Sequence, residues 1–332
     1  MSGKKVQTIG VLTSGGDAPG MNAAIRSVTR TALNRGIRVK GVYKGFQGLM
    51  DSSMQDLSIR SVSNILHEGG TTLFTARCPE FISDAGVEKG MQNCKAAGID
   101  GLVVCGGDGS FRGARDLSLK GIPCIGIPCT IDNDISSSEY TIGFDTALRT
   151  AMDCIDRLRD TSQSHDRCSV VEVMGRHCGD IAIHAGIACG ALTVLVPELK
   201  FDLERDIIKK MNNTMTNGKH HFIIIVAEGV THLDSNFMNA HELAAYIEKE
   251  TGVESRATVL GHIQRGGTPS PRDRILAAHM GHYSVELLEK GIGNRLVAVQ
   301  DGKIVDFDIL EGLSMKKTVD SDLVRVCNEI SI

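Results

Sequence analysis

Short apolar runs alternate with helix-period stretches from one end of the chain to the other. Val6 to Leu12 reads as a strand, and the loop Thr13 to Gly20 follows it. Met21, Ile25, Val28 and Ala32 then recur at spacings of four, three and four, which marks one face of an amphipathic helix. Gly36 is a stop signal, and Ile37 to Tyr43 is the next strand. The pattern is a βαβ unit, with a parallel strand pair and a right-handed crossover. It recurs as strand Gly101 to Cys105, turn Gly106 to Ser110, helix Phe111 to Lys120 and strand Ile122 to Ile127. A long helix from Phe144 to Arg159 carries Leu148, Ala151, Ile155 and Leu158 on one face. Strands are predicted at Ser169 to Val173, Leu192 to Val196 and Phe222 to Ala227. Arg295 to Asp308 reads as a hairpin around Asp301-Gly302.

Alternating β and α along the whole chain predicts an α/β protein, with parallel sheets covered by helices on both faces. A length of 332 residues fits two domains. No Pro- or Ser-rich linker divides the halves, so the chain is expected to cross between two sheets. Ligands in such folds sit beyond the carboxyl ends of the strands, and the strand-end loops therefore carry the functional search.

Composition narrows the classes. Formal net charge is −4 and no basic run occurs, so no nucleic-acid partner is expected. No apolar stretch is long enough to span a bilayer, and no membrane association is expected. The start MSGKKVQTIG lacks an apolar signal core, so a cytoplasmic protein is expected. Ten cysteines are present, none in a CxxC spacing, and buried free thiols are the expected outcome. Trp is absent and only four Tyr occur, which argues against base-stacking surfaces.

Three loops stand out. Ser14-Gly15-Gly16-Asp17 opens a helix, where glycines let backbone N–H groups approach an anion. Gly106-Gly107-Asp108-Gly109-Ser110 places a carboxylate among glycines after a buried strand. It fits a polyphosphate site with a metal at Asp108, or a tight turn with a capping Asp. Thr130-Ile131-Asp132-Asn133-Asp134 holds two carboxylates two residues apart. They fit cation binding, proton abstraction from a hydroxyl, or a solvated turn. Arg77, Arg167, Arg176, Arg256 and Arg265 stand near glycines or strand ends, and the Arg fork suits phosphate. Together these are parts for phosphoryl transfer, which needs positioning, cationic stabilisation and an oriented nucleophile.

Seven collinear strings carry a resemblance over nearly the whole chain. They are LTSGGDAPGMNAAIR (12–26), VCGGDGS (104–110), TIDND (130–134), YTIGFDTA (140–147), IDRLRDTSQSH (155–165), VVEVMGR (170–176) and RATVLGHIQRGG (256–267). The sequence resembles the bacterial-type, ATP-dependent 6-phosphofructokinase family. The resemblance implies two Rossmann-like three-layer αβα domains with mostly parallel sheets and an active site in the cleft between them. It places a larger ATP-binding domain at 1–143 plus 256–310 and a smaller fructose 6-phosphate domain at 144–255 plus 311–332.

The resemblance also implies roles. Gly16, Arg77, Cys78, Gly107, Asp108, Gly109 and Ser110 would bind ATP, with Mg²⁺ at Asp108. Asp132 would be the general base. Thr130 and Asp134 would stand beside it, and Arg77 and Arg176 would assist catalysis. Thr130, Ile131, Asp132, Met174, Gly175, Arg176, Glu228, His262, Ile263, Gln264 and Arg265 would hold fructose 6-phosphate. Arg167 and Arg256 would reach the sugar phosphate across a subunit interface, which requires a homo-oligomer, in this family usually a tetramer. Gly109 points to ATP, because pyrophosphate-using relatives typically carry Asp there. Cys129, where ATP enzymes commonly have Gly, departs from the pattern, and its thiol suggests oxidant sensitivity.

Arg26, Arg30, Arg159, Gly190, Lys219 and His221 match the family's effector site. Ile59, Asn64, Leu192 and Asn217 depart from it by losing cations, an acid and a metal ligand. Weak or absent ADP activation is therefore expected. An insertion at 231–238 has no assigned role. The alternatives are a pyrophosphate-dependent enzyme and a non-catalytic sugar-phosphate sensor.

Overall fold

The structure is a computed structural model and describes residues 6–230 and 238–331. The insertion at 231–238 therefore lies outside the described residues except for Met238. Along the chain the strands are β1 (Thr8–Thr13), β2 (Arg38–Val42), β3 (Met54–Leu57), β4 (Gly101–Gly106), β5 (Cys124–Pro128), β6 (Cys168–Val173), β7 (Thr193–Leu195), β8 (Phe222–Ala227), β9 (Ser255–Val259), β10 (Arg295–Gln300) and β11 (Lys303–Asp308). They form two sheets in two compact units, joined by a chain that passes repeatedly from one to the other.

The first unit comprises Met1–Ile131, Ile135–Thr146 and Arg265–Lys317. Its sheet has seven strands in the order β11-β10-β5-β4-β1-β2-β3. Strands β10, β5, β4, β1 and β2 run parallel, and antiparallel β11 and β3 close the two edges. Strands β1 and β4 are buried at every position, as a sheet covered on both faces requires. The crossover from β1 to β2 runs toward one edge and that from β4 to β5 toward the other. Right-handed crossovers then put helices Met21–Asn34 and Asp108–Leu119 on opposite faces. Their contacts agree: the first packs on helix Pro271–Glu289, the second on helices Asp84–Ala96 and Ile309–Ser314. The order in which strands are added to the sheet reverses between the parallel neighbours β1 and β4, so the ends of these strands form a topological switch point.

The second unit comprises Asp132–Asp134, Ala147–Gln264 and Thr318–Ile332. Its four strands, in the order β7-β8-β6-β9, are all parallel. Their carboxyl ends therefore share one edge, and Arg176, Glu228 and His262 follow β6, β8 and β9 there.

The structure moves four sequence-drawn boundaries, the smallest shift placing residues 144–146 in the first unit. Residues 256–264 belong to the second unit, because β9 hydrogen-bonds along β6. Residues 311–317 belong to the first, where helix Ile309–Ser314 packs on helix Asp108–Leu119. Asp132–Asp134 also falls to the second unit. The helix expected from Phe111 begins at Asp108, where an acid in the first turn suits the helix dipole.

Candidate active site

The switch point gathers two glycine loops. Ser14 donates its N–H to the Cys105 carbonyl at 2.9 Å, which ties the loop after β1 to the end of β4. Gly15 takes a left-handed φ of 87°, and Thr75 Oγ1 donates to its carbonyl at 2.7 Å. A Cβ on Gly106 would stand 2.6 Å from both Ser110 Oγ and the Ser14 carbonyl oxygen, so only glycine lets the two loops meet. Gly107 starts helix Asp108–Leu119 without a side-chain cap. The first amides of that helix thus remain donors for an anion. Gly109 faces open space, with nothing within 4 Å of where its Cβ would be. The Asp108 carboxylate meets Arg112 at 3.1 and 3.2 Å and is 37% exposed. Arg77 is exposed and Cys78 half-buried just after the segment that Thr75 fastens.

Thr130, at the end of β5, lies beside this turn, and its Cβ is 4.0 Å from the Cβ position of Gly107. Its carbonyl accepts from Thr141 Oγ1 at 2.7 Å. Cys129 before it is 1% exposed, and burial together with the neighbouring Cys105 thiol pushes its own thiol well above the ordinary range. A buried, protonated thiol is a poor nucleophile, which argues against the oxidant sensitivity expected of Cys129.

Arg265 brings another pair of sequence candidates together. Its Nη1 donates to the Asp17 carbonyl at 3.2 Å, and a Cβ on Gly16 would come within 2.6 Å of that nitrogen. The guanidinium therefore lies over the glycine loop.

In the second unit Asp132 is buried, and Asn133 adopts a left-handed φ of 52°. Asn133 Nδ2 donates to Asp180 Oδ2 at 2.7 Å, and Asp134 faces Arg176 Nη1 at 3.9 Å. The turn after β6 is held from two strands. Gln264 Oε1 accepts from the Met174 N–H at 2.9 Å. Glu228 Oε1 accepts from the N–H groups of Gly175 and Arg176, at 3.2 and 2.6 Å. Arg176 is left-handed at φ 56°, so the carboxylate fixes a conformation that a non-glycine residue rarely adopts. Its side chain stays 60% exposed, ready for an anion. His262 and Ile263 are exposed, whereas Gln264 is fully buried. Asp180, which seats Asn133, was not singled out from sequence. Its place in the first turn of helix Asp180–Cys189 was the available signal.

Arg167 and Arg256 flank one carboxylate. Glu254 pairs with Arg167 at 2.8 Å and with Arg256 at 2.5 Å, and these two partners, Arg167 first, hold its carboxyl below the usual range. Of the effector-type residues, Arg159, Lys219 and His221 group together. Burial, then Arg159, lowers the Lys219 ammonium. Burial, then Lys219 and Arg159, lowers the His221 imidazolium. Arg159 also caps the Cys189 carbonyl, beside left-handed Gly190. Arg26 and Arg30 adjoin one another on helix Met21–Asn34 in the first unit. Leu192 is 2% exposed in the core and offers no metal ligand.

Residues 8–288 match the family model described as Phosphofructokinase. A protein of Bacillus velezensis named ATP-dependent 6-phosphofructokinase is 52% identical, over 98% of this chain and 100% of its own. One of Bacillus thuringiensis with the same name is 51% identical, over the same shares. The phosphofructokinase structure from Saccharomyces cerevisiae superposes with a TM-score of 0.87 at 34% identity, covering 98% of this chain and 48% of that one. A pyrophosphate-dependent phosphofructokinase from Marinobacter aquaeolei, with TM-score 0.81 over 98% of this chain and 91% of its own, shares the fold at 20% identity. A family match over residues 8–288, relatives at 51–52% identity and a switch-point glycine site all agree: this chain belongs to the phosphofructokinase family.

Proposed function

We propose that this chain is an ATP-dependent 6-phosphofructokinase, with ATP phosphates on the Gly106–Ser110 turn and fructose 6-phosphate taken by the loops after β6, β8 and β9. The observation that carries the donor assignment is Gly109. It stands in the first turn of an uncapped helix with open space where a side chain would be. An aspartate there would set a carboxylate against a bound nucleotide's phosphates.

In the reaction, Asp132 accepts the proton of the sugar's 1-hydroxyl as that oxygen bonds to the γ-phosphorus. The bond from the β,γ-bridging oxygen to that phosphorus breaks, and ADP leaves. Thr130 orients the acceptor, Asp134 holds Arg176 near its working position, and Arg176 with Arg77 opposes the charge on the moving phosphoryl group. Met174 and Gly175 offer backbone to the sugar, and Glu228 and Gln264 hold that backbone. His262 and Arg265 serve the sugar phosphate. Arg167 and Arg256 do so from a neighbouring subunit of a homotetramer, an assignment that their shared, partly exposed pairing with Glu254 supports.

Mg²⁺ fits the donor set. One partly exposed carboxylate, Asp108, stands at the phosphate turn, and among the described residues no three-ligand group gathers elsewhere. Mg²⁺ commonly binds through one or two carboxylates plus substrate phosphates and water. Bound there, it would neutralise phosphate charge, while Arg112 exchanges its pairing with Asp108. With Leu192 where a metal-binding acid would stand, ADP would shift sugar-phosphate affinity less than about tenfold. A cytoplasmic location suits this role, and no helix among the described residues is long and apolar enough to cross a membrane.

A coupled assay for fructose 1,6-bisphosphate, comparing ATP with pyrophosphate, tests the reading. Turnover with ATP is expected. Turnover with pyrophosphate alone would reassign the donor, and turnover with neither would leave a sugar-phosphate sensor.

A further inference from the structure

Asp273 is fully buried in the first turn of helix Pro271–Glu289, yet it is a carboxylate. Its partners lie far away in sequence. Oδ1 accepts the Gly143 N–H at 2.9 Å. Oδ2 accepts the Thr146 N–H at 2.9 Å and the Thr146 hydroxyl. Ser270 completes the link, because its N–H donates to Thr146 Oγ1 at 2.9 Å and its own Oγ caps the Asp273 N–H. Residues 143–146 are thereby stapled to residues 270–273.

The staple continues to the chemistry. Ile142 donates its N–H to the Pro128 carbonyl at 2.9 Å and forms a β-bridge with Cys129. Thr141 Oγ1 donates to the Thr130 carbonyl, two residues before Asp132. The loop after β1 rests on the same group. A Cβ on Gly20 would come within 2.5 Å of Ile142 Cγ2 and 3.5 Å of Asp273 Cβ, and one on Gly143 within 2.7 Å of Ala18 Cβ. A buried carboxylate without such donors would be strongly disfavoured, and burial does push this one above the ordinary carboxylate range.

We infer that Asp273 is a positioning residue for phosphoryl transfer, acting through Gly143, Thr146 and Thr141 to fix Thr130, two residues before Asp132, against the phosphate turn at Gly107. The inference rests on the function proposed above. It predicts an effect on turnover larger than any on substrate binding, since Asp273, Gly143, Thr146 and Thr141 are assigned to neither substrate site and a misplaced segment spoils alignment.

The test uses the full-length enzyme with Asp273→Asn, Thr141→Val and Thr141→Ser, read by steady-state kinetics and by hydrogen exchange of peptides spanning 128–146. In folded Asp273→Asn and in Thr141→Val, kcat is expected to fall about tenfold to a hundredfold with both KM values within about twofold, the behaviour of misalignment. Thr141→Ser keeps the hydroxyl and is expected to restore kcat. Amides near 129–134 should exchange faster in Thr141→Val than in the parent. Should Asp273→Asn not fold, the Thr141 pair decides. A folded Thr141→Val with parental kcat and parental exchange overturns the inference, as does a loss that Thr141→Ser fails to restore. A parent inactive with ATP and with pyrophosphate would refute the proposed function instead, and the exchange data would still judge the staple.

Discussion

The carboxyl edges of the two sheets position their functional groups by different means. On the seven-stranded sheet the backbone itself serves, through a left-handed Gly15, a Gly106 that admits a neighbouring loop, and an uncapped helix start at Gly107. On the four-stranded sheet side chains serve. Glu228 and Gln264 hold the N–H groups of residues 174–176, and Asp180 holds Asn133. A polyphosphate spreads charge over many oxygens, and a row of amides matches it. A sugar phosphate needs a few cations at fixed places, and an Arg in a left-handed turn must be locked there.

The contrast can be broken from either side. Gly109→Asp has the largest expected effect among these substitutions. It should lower kcat/KM for ATP about a hundredfold or more, since like-charge opposition costs several kcal/mol, while fructose 6-phosphate binding holds. Glu228→Gln keeps an acceptor but loses its charge. It should raise the KM for fructose 6-phosphate about tenfold and leave the KM for ATP unchanged, as initial-rate kinetics would show. Gly143→Ala adds a Cβ at φ 107° against Ala18 and should cost about 1–3 kcal/mol of stability, read as a lowered midpoint in urea.

The smallest effect concerns pH. Burial pushes the thiols of Cys94 and Cys168 up to about 12, from 9.0 for an unstrained thiol. The folded state then holds protons that the unfolded chain releases first. These thiols leave stability untouched below pH 9.0 and reduce it as pH rises from there toward 12. Unfolding midpoints at pH 8 and pH 10 would show a fall, and equal midpoints would contradict it.

The first edge was the more legible in sequence. Glycine with one acid after a buried strand is a local signature, and the βαβ periodicity placed it at a strand end. The second edge was legible by its residues but not by their work. Glu228 and Gln264 stand 53 and 90 residues from the backbone they hold, a distance no periodicity spans. Asp273 was missed for the same reason. Ser270-Pro271-Arg272-Asp273 is a readable helix start, but nothing local shows that the carboxylate reaches back to Gly143. The unit boundary near residue 256 was misdrawn because strand pairing, not local pattern, assigns β9 to its sheet. The buried free thiols followed from composition: eight of the ten cysteines are buried and none is bonded to another.

The central claim is that this chain moves a phosphoryl group from ATP with Asp132 as the base. Formation of fructose 1,6-bisphosphate from Mg-ATP and fructose 6-phosphate, by the parent and by Asp132→Ser, tests it most directly. The account predicts robust turnover by the parent and a kcat lower by about 10²–10⁴-fold in the variant, with both KM values close to the parent's. A variant that turns over like the parent would contradict the assignment of the base.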